Sequence, residues 1–394
     1  MRHHPTSRRA ALGLIFGTIF LDLVGFGIVI PVLPLYAERF GASPLVIGLL
    51  LGSYSAMQCL CAPLLGRLSD RVGRRPVLLL SVIGTALGFL LMGLAHTLWL
   101  LFVARLIDGA TGGNISTAQA YIADITPPER RSHGMGLIGA AFGLGFIFGP
   151  AIGGVLSHVS LAAPFLFAAA LAVINALAIY VLLPESLSPE HRAHPHHRVS
   201  IAEVFRQSTT TSLRAVLATY FLVTVAFSLL TATYPLFTER RFGYSAAQNG
   251  YLFAGQGLLS AIVQGGLLGL LLKRFGDKAL AVTGAVALTV SMVVLPLGDT
   301  AMALLLTTAG LAVGHGLVAA PLNGLASKSV APESQGRVLG VMQATASLAR
   351  IVGPVLGGWL LNIDALHLTA QFGKTPYWVS AGITLIAVGF ALAL

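Results

Sequence analysis

Gly149-Pro150-Ala151-Ile152-Gly153-Gly154 returns as Gly353-Pro354-Val355-Leu356-Gly357-Gly358, an offset of 204 residues. The same offset carries Pro128-Glu129 to Pro332-Glu333 and Gly136 to Gly340. Near it, Pro34-Leu35-Tyr36-Ala37-Glu38-Arg39 is echoed by Pro235-Leu236-Phe237-Thr238-Glu239-Arg240. Both copies sit in strongly apolar sequence: 56% of the 394 residues are hydrophobic and 10% charged, with 45 glycines and a mean hydropathy of +0.84. So few charges could not cover a soluble surface, whereas a chain embedded in a bilayer has no such need. A duplicated bundle has a pseudo-symmetric seam, and transporters place their cargo in that seam near the bilayer midplane.

An apolar run of about 20 residues crosses roughly 30 Å of hydrocarbon. Twelve such spans are expected, at 11–33, 44–65, 77–95, 98–122, 134–156, 162–183, 213–236, 247–271, 279–297, 300–324, 336–361 and 376–394. The first is too long for a leader peptide and lacks a small-residue cleavage site, so it is read as a retained span. The expectation is an all-α integral membrane protein with twelve transmembrane helices in two pseudo-symmetric six-helix bundles, 1–183 and 213–394. A polar cytoplasmic linker, 184–212, joins them. Four histidines in it, His191, His194, His196 and His197, could bind a transition metal, but a solvated tether is the preferred reading. No metal or cofactor is expected.

The net charge of +10 would suggest a nucleic-acid partner in a soluble chain. Here 18 of the 24 Lys and Arg residues fall on the segments that become cytoplasmic if the N-terminus is cytoplasmic. That asymmetry orients the chain with both termini in the cytoplasm and accounts for the basicity without a polyanion. The two cysteines, Cys59 and Cys61, are two apart on a helix and point to different faces, which argues against a disulfide or metal site. They read as small packing residues. The loops are too short for a catalytic domain, and no Gly-x-x-x-x-Gly-Lys-Ser/Thr loop is present, so neither an enzyme nor an ATP-driven pump is expected.

Charges inside spans stand out against this background. Asp22 lies near the middle of the first span, where a lone carboxylate is costly and marks a functional site by default. It is read as a proton carrier, against the plainer reading of an interhelical hydrogen bond. Arg105 and Asp108 are three apart and share a face of the fourth span. Either they neutralise each other as scaffold, or protonation of Asp108 frees Arg105 to seek Asp22. Arg350 in the eleventh span has no acid within its own helix and could meet an anionic part of the cargo. His315 in the tenth span reads as a packing residue. Tyr54, Gln58, Asn114, Gln119, Asn249, Gln256, Gln264, Asn323, Gln343 and Trp359 describe a large, sparsely polar pocket suited to an amphiphile rather than a sugar.

The loop after the second span reads Gly66-Arg67-Leu68-Ser69-Asp70-Arg71-Val72-Gly73-Arg74-Arg75-Pro76. Its glycines permit a tight reversal, Pro76 can open a helix, and its arginines hold the surface. With Leu101-to-Gly109 and Gly145-to-Gly154, in this order, the chain resembles the major facilitator superfamily. Gly145-to-Gly154 is similar to the segment typical of proton-driven antiporters in that superfamily. The first span, Leu21-to-Pro34, resembles bacterial tetracycline efflux proteins and their drug-exporting relatives. The resemblance implies gating by Gly66, Asp70, Arg71, Gly73, Arg74 and Arg75, with Asp70 latching over the N-terminus of the eleventh span. Gly145, Gly149, Pro150 and Gly153 would form a close-packed, bendable seam. It departs from some tetracycline exporters at Ala86-Leu87-Gly88-Phe89, where no acid occurs, which argues against tetracycline itself.

The resulting expectation is a proton-coupled multidrug or tetracycline-like efflux antiporter of the bacterial inner membrane, working as a monomer by alternating access. Its partners would be an amphiphilic small molecule, protons and the lipid bilayer. The alternatives are a proton-coupled exporter of a lipid or metabolite, or an uncoupled facilitator in which Asp22 and Arg105 are scaffold.

Overall fold

A computed structural model of the chain describes residues 8–127, 131–187, 211–330, 335–365 and 372–394. Among these residues every regular element is helical. The first half carries α1 (Arg8–Glu38), α2 (Pro44–Val72), α3 (Arg74–Gly93), α4 (Leu98–Thr111), α5 (Asn114–Ile125), α6 (Arg131–Ser157) and α7 (Ala163–Leu182). The second carries α8 (Thr211–Phe242), α9 (Ala246–Ile262), α10 (Leu268–Val294), α11 (Ala301–Lys328), α12 (Gln335–Asp364) and α13 (Lys374–Leu392). Most of the expected linker, its histidine run, and the Pro128-Glu129 and Pro332-Glu333 echoes lie outside the described residues.

Ten helical stretches are long and apolar enough to cross a membrane, and twelve spans follow from two local features. One stretch, Ala246–Leu297, is double length. A π-helical turn at Val263–Leu267 links α9 to α10, and Gly276 inside α10 leaves the helical region at φ 78° and ψ 168°. That glycine ends the eighth span and starts the ninth, a conformation with φ above zero that a Cβ would penalise. The fourth span, expected as one helix over 98–122, is instead broken into α4 and α5 at Gly112-Gly113. A Cβ on Gly112 would lie 2.9 Å from the Tyr54 hydroxyl, and one on Gly113 would lie 2.7 Å from Leu65. The two glycines let α2 approach, and the Gly112 carbonyl released by the break accepts from Gln58 Nε2 at 2.7 Å. Breaks of this kind survive in a membrane only where side chains satisfy the freed backbone.

Large apolar side chains cover the outside, among them Leu60, Trp99, Val181, Leu270 and Leu306, each more than 60% exposed. An apolar exterior of this extent is what lipid rather than water accepts, and the chain is a multi-pass membrane protein. Cys59 is exposed and Cys61 half-exposed, both as free thiols, so neither fills a gap in the core as the sequence suggested.

The helices form two compact units. The first combines residues 1–41 and 53–197 with 246–254, and the second combines 42–52 with 198–245 and 255–394. Each unit therefore includes a short helical start contributed by the other half of the sequence. In the first, Ile15, Ile19, Leu23, Leu78, Val82, Tyr121, Ile122, Ile138 and Ile179 make the apolar core of α1, α3, α5, α6 and α7.

Candidate functional site: an acid–arginine cluster and two glycine seams

Three polar helical residues converge inside the first unit. Arg105 on α4 is 2% exposed and Asp108, one turn on, 5% exposed, with Arg105 Nη1 donating to Asp108 Oδ2 at 3.3 Å. The Arg105 guanidinium stacks over the Tyr54 ring, 4.3 Å from its centroid. Tyr54 in turn bonds through its hydroxyl to Gln58 Nε2 at 3.2 Å, and the same amide holds the Gly112 carbonyl. Arg105 is thus fixed by one carboxylate and one aromatic face, a combination that retains a cation in an apolar interior.

Asp22 on α1 faces this pair. It is partly exposed, it lies within electrostatic reach of Asp108, and the Asn114 amide at the start of α5 is beside it. Asn114 is buried, with its side-chain amide set against the Asp22 carboxyl. Thr85 on α3 adjoins Asp108. The charge count is simple: one guanidinium balances one carboxylate, so the second carboxyl is neutral only when it carries a proton. The break after α4 places Asn114 here; the Gly112-Gly113 doublet was the sequence signal for it. Gly88, in the stretch where an acid was missing, has its Cβ position 2.8 Å from Asp108 Cβ, so α3 closes directly on that residue.

The segment expected as a gating loop is mostly helix, since α2 continues to Val72 and the chain reverses only at Gly73 before α3; its charges form a network at one end of the same unit. Arg74 Nη1 donates to Ser69 Oγ at 2.8 Å and to Asp70 Oδ1 at 2.5 Å, and its Nε donates to Asp124 Oδ2 at 3.2 Å. Ser69 Oγ donates to the Gly66 carbonyl at 2.9 Å. Glu185, beyond α7, accepts from the backbone N–H groups of Arg74 and Arg75 at 2.9 and 3.2 Å and so caps α3. Gly73 has φ 114°, and a Cβ there would strike the Glu185 carboxylate. Arg75 donates to the Tyr180 carbonyl, while Arg71 is exposed. Asp124 and Glu185 were not singled out from sequence, because long-range caps leave no local pattern.

The glycine ladder packs as its spacing implied. Cβ positions on Gly145, Gly149 and Gly153 would lie 2.5, 2.7 and 3.2 Å from Leu23, Gly27 and Ile28, so α6 lies backbone-to-backbone along α1. Its echo repeats this in the second unit, where Gly353 meets Ser228 at 2.7 Å and Gly357 meets Leu229 at 2.8 Å on α8. The doublets' last glycines serve another partner: Gly154 adjoins Gly250 at 3.1 Å, and Gly358 adjoins Gly48 at 3.0 Å. These second seams are formed by the short helical starts that each unit receives. Gly149→Val should cost about 1–3 kcal/mol by overpacking against backbone that has no rotamer to change. Gly139→Val, where nothing lies within 4 Å of the Cβ position, should be near neutral. Thermal unfolding of the two variants in nanodiscs checks this, and equal midpoints would refute it.

The remaining expected residues divide between places. Arg350 on α12 is partly exposed, with Nη2 donating to Ser347 Oγ at 3.2 Å, and it neighbours Tyr220 of α8, as does Asn323 of α11. Gln343 lies exposed on the same side of α12 as Ser347 and Arg350. Trp359 does not join them: nine residues beyond Arg350, it is half a helical turn away, on an exposed stripe with Leu348 and Val352. Gln119 is exposed on α5, Gln264 is exposed in the π-helical turn, and Asn249 and Gln256 are buried on α9. Asn249 belongs to the first unit and Gln256 to the second.

Comparison with known proteins places this architecture. The Major Facilitator Superfamily model matches residues 15–354 and again residues 216–394. Tetracycline resistance protein class C of Escherichia coli is 38% identical over 353 residues, covering 88% of each chain. Multidrug resistance protein 2 of Bacillus subtilis is 28% identical over 395 residues, covering 98% of this chain and 97% of that one. The crystal structure of a bacterial homologue of the human lysosomal transporter Spinster superposes with a TM-score of 0.85, covering 99% of this chain and 97% of that chain at 16% identity. That last likeness concerns the fold.

Proposed function

Because the chain belongs to the major facilitator superfamily, we propose that it is a proton-coupled antiporter that exports amphiphilic small molecules by alternating access. It is a carrier, not an enzyme, and works as a monomer in the bacterial inner membrane with both termini in the cytoplasm. The observation that carries this reading is the cluster of Asp22, Asp108 and Arg105 inside one unit, with Asn114 and Tyr54 around it. In the proposed cycle, cargo enters from the cytoplasm or inner leaflet and Asp22 releases its proton inward. Arg105 then balances Asp108 and Asp22 in turn, and a proton from outside resets the carrier. The halves 1–183 and 213–394 alternate about the linker 184–212. The Gly66-to-Arg75 loop, held by Arg74, gates one end, while Gly145, Gly149, Pro150 and Gly153 let α6 bend against α1.

The energy suffices. A driving force of ~150 mV on one charge is worth about 3.5 kcal/mol, enough for a cargo gradient of roughly 300-fold. The test is reciprocal flux. Purified protein in liposomes with a trapped pH dye should move protons against an imposed cargo gradient, and an imposed pH gradient should move cargo. Cargo movement that ignores a collapsed proton gradient would mean a facilitator and would refute the coupling.

A further inference from the structure

The turn between the eighth and ninth spans repeats the turn between the second and third with three charges reversed. Gly73 and Gly276 are 203 residues apart and hold similar backbone, φ 114° and ψ 162° at the first, φ 78° and ψ 168° at the second. Counted from these glycines, Asp70 is matched by Lys273 and Arg74 by Asp277. At the end of the following span Asp124 is matched by Lys328, at the offset of 204 that the glycine-proline signature also shows. The order acid, base, acid in the first unit becomes base, acid, base in the second. Arg71 and Arg75 keep their sign, as Arg274 and Lys278. Only the three residues that form ion pairs with one another in the first unit are inverted. Lys273 alone looks like decay of the motif. Together with its two partners it is a complementary exchange, which keeps each attraction while inverting each sign.

The inverted charges meet as their counterparts do. In the first unit Arg74, the first residue of α3, bonds Asp124 at the end of the fourth span and Asp70 four residues before it. In the second, Asp277 is the first residue after the turn, and its Oδ2 accepts from Lys328 Nζ at the end of α11. Its Oδ1 faces the same helix, 3.2 Å from the Cβ position of Gly324, one turn before Lys328. The Asp277 side chain is 16% exposed and that of Lys328 69% exposed. A pair with one partner this exposed contributes little to stability. As a latch that weakness is an advantage, because a contact broken in every cycle cannot be a strong one. An acid in the first turn of a helix also favours the helix through its dipole, so capping alone would explain Asp277. It would not explain the two lysines. At the matching place in the first unit the carboxylate is supplied from a distance, by Glu185, and the turn itself carries the charge triad.

We propose that Lys273, Asp277 and Lys328 are the gating charges of the second unit. Asp277 is their positioning residue: it holds the end of the tenth span to the start of the ninth, as Arg74 holds the fourth to the third. This deepens the gating part of the exporter reading and rests on it. Each half then carries its own latch, of the same geometry and opposite polarity.

Amide hydrogen exchange on the full chain in zwitterionic nanodiscs reads the latch as local opening of the last turn of α11, residues 325–328. Asp277→Asn should raise exchange there about three-fold and leave the middle of α11 unchanged, the size expected of a pair with one exposed partner. Asparagine caps a helix as well as aspartate does, so a cap would survive this change. Lys328→Gln should act alike. Ionic strength of about 1 M, where the Debye length is about 3 Å, should open the wild type to a similar degree and leave Asp277→Asn where it was. Asp277→Arg alone should open the turn further, since it faces two lysines. Combined with Lys273→Asp and Lys328→Asp, which copies the signs of the first unit, it should return exchange to the wild-type rate. Wild-type exchange in Asp277→Asn, or no recovery in a folded triple variant, would overturn the proposal and leave Asp277 a helix cap. Arg74→Gln, read at residues 122–125, tests the first latch separately. No cargo or gradient is present, so a failure of the exporter reading would appear in the flux experiment and not here.

Discussion

Asp22→Asn should abolish uphill export while leaving cargo exchange down a gradient intact. Asparagine keeps the size and much of the polarity of the protonated acid but can neither gain nor lose a proton. Its neighbours, Asp108 and Asn114, lose no bulk against which they pack. The variant therefore imitates one protonation state of the cluster permanently, with Arg105 committed to Asp108. A carrier held in that state can still reorient with cargo, so counterflow of labelled for unlabelled cargo should continue. What disappears is the link to the proton gradient. With one proton exchanged per cycle, wild type could sustain a cargo ratio of up to roughly 300-fold, and the variant should relax to about one. Parallel measurement of proton release and cargo accumulation in the same vesicles decides the matter. Undiminished accumulation by Asp22→Asn would move the proton-carrying role to Asp108 and remove Asp22 from the mechanism.

Much of the architecture was legible because each span is a long apolar run and the two halves carry the same glycine-proline signature. The readable features are those written in consecutive residues. The break at Gly112-Gly113 was missed because hydropathy over 98–122 is continuous across it; only the glycine doublet, with Gln58 and Tyr54 on another helix, accounts for it. Trp359 was grouped with Arg350 by residue type alone, although a nine-residue separation is half a turn and a helical projection would have parted them. The helical starts at residues 42–52 and 246–254 are apolar like the rest of their spans, so hydropathy does not show that each packs into a unit dominated by the other half. Their small residues, Gly48 and Gly250, become meaningful only once Gly358 and Gly154 are seen against them. Of the candidate site, Asp22, Arg105 and Asp108 were visible because a charge in an apolar run is conspicuous. Thr85, Asp124 and Glu185 were not, since an ordinary polar residue gains its role from a partner distant in sequence.

Arg105→Met should destabilise the first unit and stop transport, and adding Asp108→Asn should repair only the first of these defects. Arg105 is 2% exposed, bonded to Asp108 and stacked on Tyr54. Methionine preserves the length and apolar stem that pack beneath Tyr54, but it leaves Asp108 as a buried carboxylate without its counter-charge. Breaking one partner of a buried pair costs about 3–5 kcal/mol in soluble proteins. Neutralising Asp108 removes the orphaned charge, so the double variant should regain stability, with an interaction energy of about 1–3 kcal/mol across the cycle. If the pair is only scaffold, the double variant will also transport at the wild-type rate. If Arg105 alternates between Asp108 and Asp22, the repaired protein will fold, bind cargo and remain unable to couple it to protons, because no cation is left to balance the carboxylate that has just released its proton. Thermal unfolding and proton-linked flux measured on the same three preparations separate these outcomes. The dissociation of stability from coupling is the signature that a structural ion pair cannot produce.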